Sequence, residues 1–203
     1  MTHYFTDNRD LPSNERELRI SFLGREYTFV TDIGVFSKNE LDEGSAILLE
    51  AVQSLDISGS VLDLGCGYGP IGIITASMTP QCQVTMSDVN PRAVELAVKN
   101  CIHNGVQAQC LVSDGFEKID NSFDVILTNP PIRAGKRVIY RLFEDACAHL
   151  NKEGVLLVVI RRKQGAESAL AKLQEIFGNG ETILRKRGYW ILKAVRTDTD
   201  IDK

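Results

Sequence analysis

From residue 60 onward the chain alternates strand-like and helix-like stretches, and this rhythm constrains the fold more than any other feature. Near-continuous apolar runs stand at 60–64 (SVLDL), 83–87 (QVTMS), 108–112 (AQCLV), 123–128 (FDVILT) and 154–160 (GVLLVVI). Helical patterns lie between them at 70–78, 91–104, 137–149 and 166–177. Strands this apolar are buried on both faces, so they pair in parallel between helical layers. The rhythm breaks near the end. Glu181 to Lys186 and Tyr189 to Val195 are separated only by Arg187-Gly188, which predicts a hairpin and one antiparallel strand. The expectation is an α/β, Rossmann-like fold with a seven-stranded, mostly parallel sheet. Ahead of it, 18–22 and 27–30 alternate around Leu23-Gly24-Arg25 and predict an N-terminal β-hairpin. A helix is predicted over 42–54, with Asp42 as its N-cap. Residues 1–16 form a polar lead-in and 197–203 a polar tail. With no repeat and no linker, residues 1–203 read as a single domain.

The first strand runs into Asp63-Leu64-Gly65-Cys66-Gly67-Tyr68-Gly69-Pro70-Ile71-Gly72. Glycines let a tight turn take positive φ and let a ligand approach the backbone. Pro70 suits a first helical turn, whose free N–H groups face whatever binds there. The loop fits two ligand classes. Gly67, Gly69 and Gly72 match the G-x-G-x-x-G dinucleotide fingerprint, and Asp88 stands where that fingerprint places its ribose carboxylate. Asp63-x-Gly65-x-Gly67-x-Gly69 equally resembles the nucleoside loop of class I S-adenosylmethionine (SAM)-dependent methyltransferases. In that family the strand-end acid holds the methionine portion. Asp88, followed by Val89, ends the second strand, where a carboxylate can accept from both ribose hydroxyls. Asn90 suits the cap of the next helix better than Asp88 does. Asp114-Gly115-Phe116 ends the third strand. In that family an acid there meets the adenine amino group, and the aromatic can flank the ring.

Thr128-Asn129-Pro130-Pro131-Ile132 follows the fourth strand. Alone it is a rigid turn. At the mouth of a SAM-type sheet the two prolines hold Pro130 extended and aim the Asn129 side-chain oxygen and the Pro130 carbonyl at one point. Two acceptors there bind both hydrogens of an exocyclic NH2 and draw its lone pair towards a methyl donor. Such chemistry needs positioning and charge matching more than a strong base. Asn129, Pro130 and Pro131 are therefore the candidate catalytic residues. Many amino-methyltransferases carry an aromatic where this chain has Ile132, so stacking on the acceptor falls to another ring, with Phe36 and Tyr140 as candidates.

Gly34-Val35-Phe36-Ser37, Leu41-Asp42-x-Gly44-Ser45, the loop from Asp63 to Gly69, Asp88-Val89-Asn90 and Asn129-Pro130-Pro131-Ile132-Arg133-Ala134-Gly135-Lys136 together resemble the bacterial small-subunit ribosomal RNA guanine-N2 methyltransferases. The resemblance covers residues 17–196. It implies SAM as cofactor and transfer of its methyl group to N2 of a guanine in 16S ribosomal RNA. It implies that Phe36 and its loop close over SAM, with Asp63, Gly65, Cys66, Gly67, Gly69, Asp88, Val89, Asp114, Gly115 and Asn129 lining the cofactor. Members of that family carry a second, degenerate copy of the domain, whereas one copy is expected within these 203 residues.

The net charge of -4 argues against a nucleic-acid partner only until it is divided. Residues 1–130 hold 8 Lys+Arg against 18 Asp+Glu, while residues 131–196 hold 14 against 6. Arg133-Lys136-Arg137 and Arg161-Arg162-Lys163 follow strands four and five, on the edge where ligands bind and a phosphate backbone would pass. Arg185-Lys186-Arg187 is a third cluster. Ribosomal RNA or the small ribosomal subunit is the expected partner. The 5 cysteines contain no CxxC pair, so neither a disulfide framework nor a metal site is expected. No run approaches the roughly 18 apolar residues of a membrane span, and the N-terminus lacks a signal-peptide core, so a cytoplasmic location is expected. The alternatives are an amino-methyltransferase of a protein glutamine or another small amine, a nicotinamide-dependent oxidoreductase, and a SAM-binding module without catalysis.

Overall fold

A computed structural model describes residues 13–32 and 40–197. Strands β1 (Arg16–Phe22) and β2 (Arg25–Thr31) form the N-terminal hairpin, and helix α1 is Glu43–Gln53. Then strands and helices alternate: β3 (Ser60–Leu64), α2 (Pro70–Met78), β4 (Gln83–Asp88), α3 (Pro91–His103), β5 (Gln109–Val112), β6 (Phe123–Thr128), α4 (Lys136–Ala148), β7 (Leu150–Arg161) and α5 (Ala166–Phe177). A second hairpin, β8 (Glu181–Lys186) and β9 (Tyr189–Val195), ends the described chain. The seven-stranded sheet has the order β5-β4-β3-β6-β7-β9-β8. Five strands run parallel, and β9 enters antiparallel between β7 and β8.

Side chains alternate across the strands and sort into two cores. Val61, Val125, Leu127 and Leu157 pack with α1, α2, α3 and the hairpin residues Ile20, Phe22, Tyr27 and Phe29. Leu62, Leu64, Ile126, Leu156 and Val158 pack with Ile139 and Phe143 of α4 and Leu173 and Phe177 of α5. Both faces being apolar is what makes the strands read as continuous hydrophobic runs.

Both hairpins close the same way. Leu23 and Gly24 have φ of 51° and 75°, and Arg187 and Gly188 have 49° and 81°. Two consecutive left-handed residues match the twist of a tight hairpin.

Two side chains of α3 tie the first hairpin down. Asn100 accepts from Val30 N and donates to Val30 O, at 2.6 and 3.0 Å. Asn104 does the same with Thr28, at 3.0 and 2.8 Å. Asn100, wholly buried, also donates to Tyr68 O in the glycine loop, at 2.9 Å.

Most boundaries shift by one or two residues from expectation, and β1 starts at Arg16, inside the expected lead-in. Three differences bear on the site or the sheet. Strand β4 includes Asp88. Strand β7 begins at Leu150, four residues early, because Leu150 pairs with Phe123 across a bulge and Glu153 absorbs the irregularity at φ 61°. Helix α4 follows a 3-10 turn, Ile132–Ala134, which the proline pair sets up. The register pairs Leu64 with Ser87 and Thr128, and Asp88 with Val112. It thereby brings the segments after β3, β4, β5 and β6 to one sheet edge, where α/β folds form their ligand sites.

Candidate active site

The glycine loop folds back over the end of β4. Gly65 N and Cys66 N both donate to Ser87 O at 2.9 Å. Gly65, Gly67 and Gly69 sit at φ 76°, 58° and 95°, which explains the glycine at every second position. Gly72 is there for a different reason. A Cβ on it would lie 2.4 Å from Met86 Sδ and 3.2 Å from Asp63 Oδ2. Gly72→Ala is expected to lower stability by about 1–3 kcal/mol through overpacking, read as a fall in denaturant midpoint.

Asp63 is completely buried. Its Oδ2 accepts from Gly72 N at 2.8 Å, and its Oδ1 has no hydrogen-bond partner. Burial pushes its carboxyl up to about 7, the Gly72 amide pulls the other way, and the Asp88 charge adds to the rise. A buried carboxylate oxygen with no donor is costly, and a cationic donor brought by a ligand offsets that cost. The amino group of SAM is such a donor, so this pocket fits the cofactor.

Asp88 does more than point into the site. Its Oδ2 accepts from Gly67 N and its Oδ1 from Asn90 N, both at 2.8 Å. A carboxylate oxygen can accept more than one hydrogen bond, so a ligand hydroxyl can share this carboxylate with the two amides. The cap of α3 is Asn90, whose side chain accepts from Arg92 N at 3.1 Å. Val89 is half-buried beside it. Asp114 is exposed and Gly115 half-buried at the end of β5. Phe116 departs from the expected ring-flanking role. It is buried in the α4–α5 core with its ring stacked on His149, centroids 4.4 Å apart. Cys66 is buried, and burial pushes its thiol well up, as suits a small residue filling space in the loop.

Asn129 stands half-buried at the end of β6, before the buried Pro130. Its Nδ2 donates to Asp42 Oδ2 at 2.8 Å and to Ser45 Oγ at 3.1 Å. Its Oδ1 accepts nothing among the described residues. Asp42 caps α1 as expected, its Oδ2 accepting from Ser45 N at 2.9 Å. The contact to Asn129 was not legible, because 87 residues separate the two in sequence.

The basic residues fall into two groups. Arg133, Lys136 and Arg137 are exposed around the start of α4, and Arg161, Arg162 and Lys163 around the start of α5. Arg162 approaches Glu167 at 3.4 Å. Arg161 lies over the Tyr189 ring, 5.2 Å from its centre. In the third cluster Lys186 pairs with Glu50 and Arg187 with Glu43, at 2.7 and 3.4 Å, and Arg185 lies over the Trp190 ring. Tyr140 donates to Ser168 O at 3.3 Å and packs against the core under α4 and α5. It is thereby turned to α5. Phe36 and the rest of 33–39 lie outside the described residues. Tyr189 was overlooked. Its Cε1 and Asp42 Oδ2 each lie 3.0 Å from where a Cβ on Gly44 would stand, so this ring borders the Asn129 site.

Among the described residues no group of three or more His, Cys, Asp or Glu could hold a metal ion, and no helix is long and apolar enough to cross a membrane.

Comparison with known proteins agrees with this geometry. Residues 26–193 match the methyltransferase small domain family. The chain is 43% identical to the uncharacterized protein YbxB of Bacillus subtilis, over 95% of this chain and 97% of that one. It is 42% identical over 130 residues to the ribosomal RNA small subunit methyltransferase C of Haemophilus influenzae, covering 62% of this chain but only 39% of the relative. Among solved structures it superimposes on the T. thermophilus 16S rRNA N2 G1207 methyltransferase (RsmC) in complex with AdoMet and guanosine, with a TM-score of 0.83 and 34% identity. That match takes in 92% of this chain and 52% of the other. The strand order, the loop over β4 and the family match converge: the chain belongs to the methyltransferase small domain family and is a class I, SAM-dependent methyltransferase.

Proposed function

We propose that this chain transfers the methyl group of SAM to the exocyclic N2 amino group of a guanine in 16S ribosomal RNA. The observation that carries the reading is the Asn129 amide. Its Nδ2 donates to Asp42 and Ser45, and among the described residues its oxygen accepts nothing, so that oxygen can take an incoming amine. With the Pro130 carbonyl as a second acceptor, a planar NH2 is gripped by both hydrogens. SAM supplies the activated methyl group. Asp63 takes the cationic end of the cofactor, Asp88 its ribose hydroxyls and Asp114 its adenine amino group. Gly65, Cys66, Gly67, Gly69, Val89 and Gly115 line the cleft. The likeness to an RNA guanine enzyme over 92% of the chain supports guanine over a protein amide.

Charge supports an RNA partner. Helices α4 and α5 both start on a glycine with no side-chain cap, and basic residues flank both starts. Cations beside a helix N-terminus oppose the helix dipole, so the arrangement costs stability unless an anion binds there. Replacing Arg133, Lys136 and Arg137 together by alanine is expected to weaken rRNA binding and to flatten its salt dependence by about one slope unit per residue, measured by titration at several salt concentrations. The reading also carries a single catalytic domain and a cytoplasmic location, where ribosomal subunits are assembled. A guanine in a duplex hides N2 in the minor groove, so the target base is single-stranded or flipped out.

The test is transfer of labelled methyl from SAM to naked 16S rRNA, to isolated small subunits and to protein, followed by mapping of the modified nucleotide. Label at N2 of one guanine is the expected outcome. Label in protein alone would overturn the reading.

A further inference from the structure

We propose that Asp42 and Ser45 are positioning residues for methyl transfer: they lock the Asn129 amide with its oxygen turned to the acceptor amine. The inference rests on the reading of Asn129 as the group that grips that amine. A free asparagine amide has two orientations related by a half-turn, and only one presents the oxygen. A carboxylate accepts hydrogen bonds and cannot donate them. Asp42 Oδ2, 2.8 Å from Asn129, therefore faces nitrogen; the flipped amide would set two electron-rich oxygens against each other. Ser45 Oγ takes the second N–H at 3.1 Å and itself lies 3.3 Å from Asp42 Oδ2, to which it donates. The three side chains thus close a ring in which every donor has one acceptor and the amide plane is fixed.

The ring also tunes Asn129. A hydrogen bond from an amide N–H to a carboxylate is charge-assisted. It draws the amide towards the resonance form with more negative charge on oxygen. That strengthens the acceptor as the amine nitrogen becomes positive in the transition state, where preorganised dipoles count most. Asp42 is suited to the role by its place at the N-terminus of α1, where the helix dipole favours a carboxylate. Capping alone does not require this arrangement. A cap needs one acceptor for Ser45 N, and serine would serve as well. The Asn129 contact is additional.

That difference gives the test. Asp42→Ser in the full chain keeps a cap on α1 but removes the charge and the reach to Asn129. Its Tm is expected within about 2 °C of the parent, with SAM affinity and the KM for RNA unchanged. Its kcat is expected to fall about 10- to 100-fold, because the reacting groups are misaligned. Ser45→Ala removes one acceptor and is expected to lose less. Adding Asp42→Ser to Asn129→Ala should cost nothing further in single-turnover assays, since the lock acts through that amide. In the parent, the Asn129 side-chain NH2 protons should be well separated and slow to exchange by NMR, and should collapse to free-amide behaviour in Asp42→Ser. An undiminished kcat in Asp42→Ser, or an unaltered Asn129 NH2 signal, overturns the proposal. If the parent chain methylates no RNA, the RNA reading fails instead, and the NMR comparison still decides whether the lock exists.

Discussion

Asn129→Ala is expected to reduce methyl transfer about 10²- to 10³-fold while leaving SAM affinity close to that of the parent. The magnitude is that of losing one preorganised electrostatic contact to the reacting group. Alanine keeps the backbone and the Pro130 carbonyl, so the acceptor amine retains one of two acceptors and some of its alignment. The variant is expected to fold, because Asn129 is only half-buried and its loss leaves Ser45 still bonded to Asp42 through both its amide and its hydroxyl. A single-turnover assay with labelled SAM separates this loss from product release. Methyl transfer at the parental rate would remove Asn129 from the chemistry and, with it, the present account of the Asn-Pro-Pro turn.

Asp63→Asn is expected to weaken SAM binding by about 2–5 kcal/mol, the usual loss when one partner of a buried charge pair is removed. The same change should make the ligand-free protein less sensitive to pH. The folded carboxyl is pushed up to about 7 from 3.8. The unfolded chain therefore ionises first as pH rises. Stability from this group is fully present below about pH 4, declines as pH climbs to about 7 and is then flat. An amide keeps the acceptor for Gly72 N and has no charge to bury, so the decline should disappear. Cofactor binding runs the other way. Below about pH 7 the parent must shed a proton from Asp63 to receive a cation, so affinity should fall towards tenfold per pH unit. Calorimetry in buffers of different ionisation enthalpy should show about one proton released on binding at pH 6 in the parent and none in the variant. Equal proton release in both would mean that Asp63 does not meet the cationic group.

The strands and helices were legible because burial on both sheet faces leaves an unmistakable apolar pattern, and because Gly-rich turns punctuate it. Asp63, the glycine loop, Asp88 and Asn129 were legible because they follow strand ends, where local sequence and ligand edge coincide. What escaped has a common cause. The Asp42–Asn129 bond, the neutralisation of Lys186 and Arg187 by α1, and the approach of Tyr189 to Gly44 all join residues far apart in the chain. Phe116 was misjudged because an aromatic after a strand-end acid suits a ligand or a core equally well. Only the packing of His149 against it decides. The early start of β7 was hidden by Asn151, Lys152 and Glu153, polar residues that read as a turn but sit on an irregular strand.

The asparagine pair on α3 has one more consequence. A two-stranded hairpin outside the main sheet has exposed backbone edges, and an open edge invites another strand, from the same chain or from a second molecule. Asn100 and Asn104 present paired donors and acceptors at the spacing of alternate residues of β2, as a neighbouring strand would. A helix here imitates a strand. It occupies the edge of β2 at Thr28 and Val30, so those ladder positions are not open to a growing aggregate or a swapped partner.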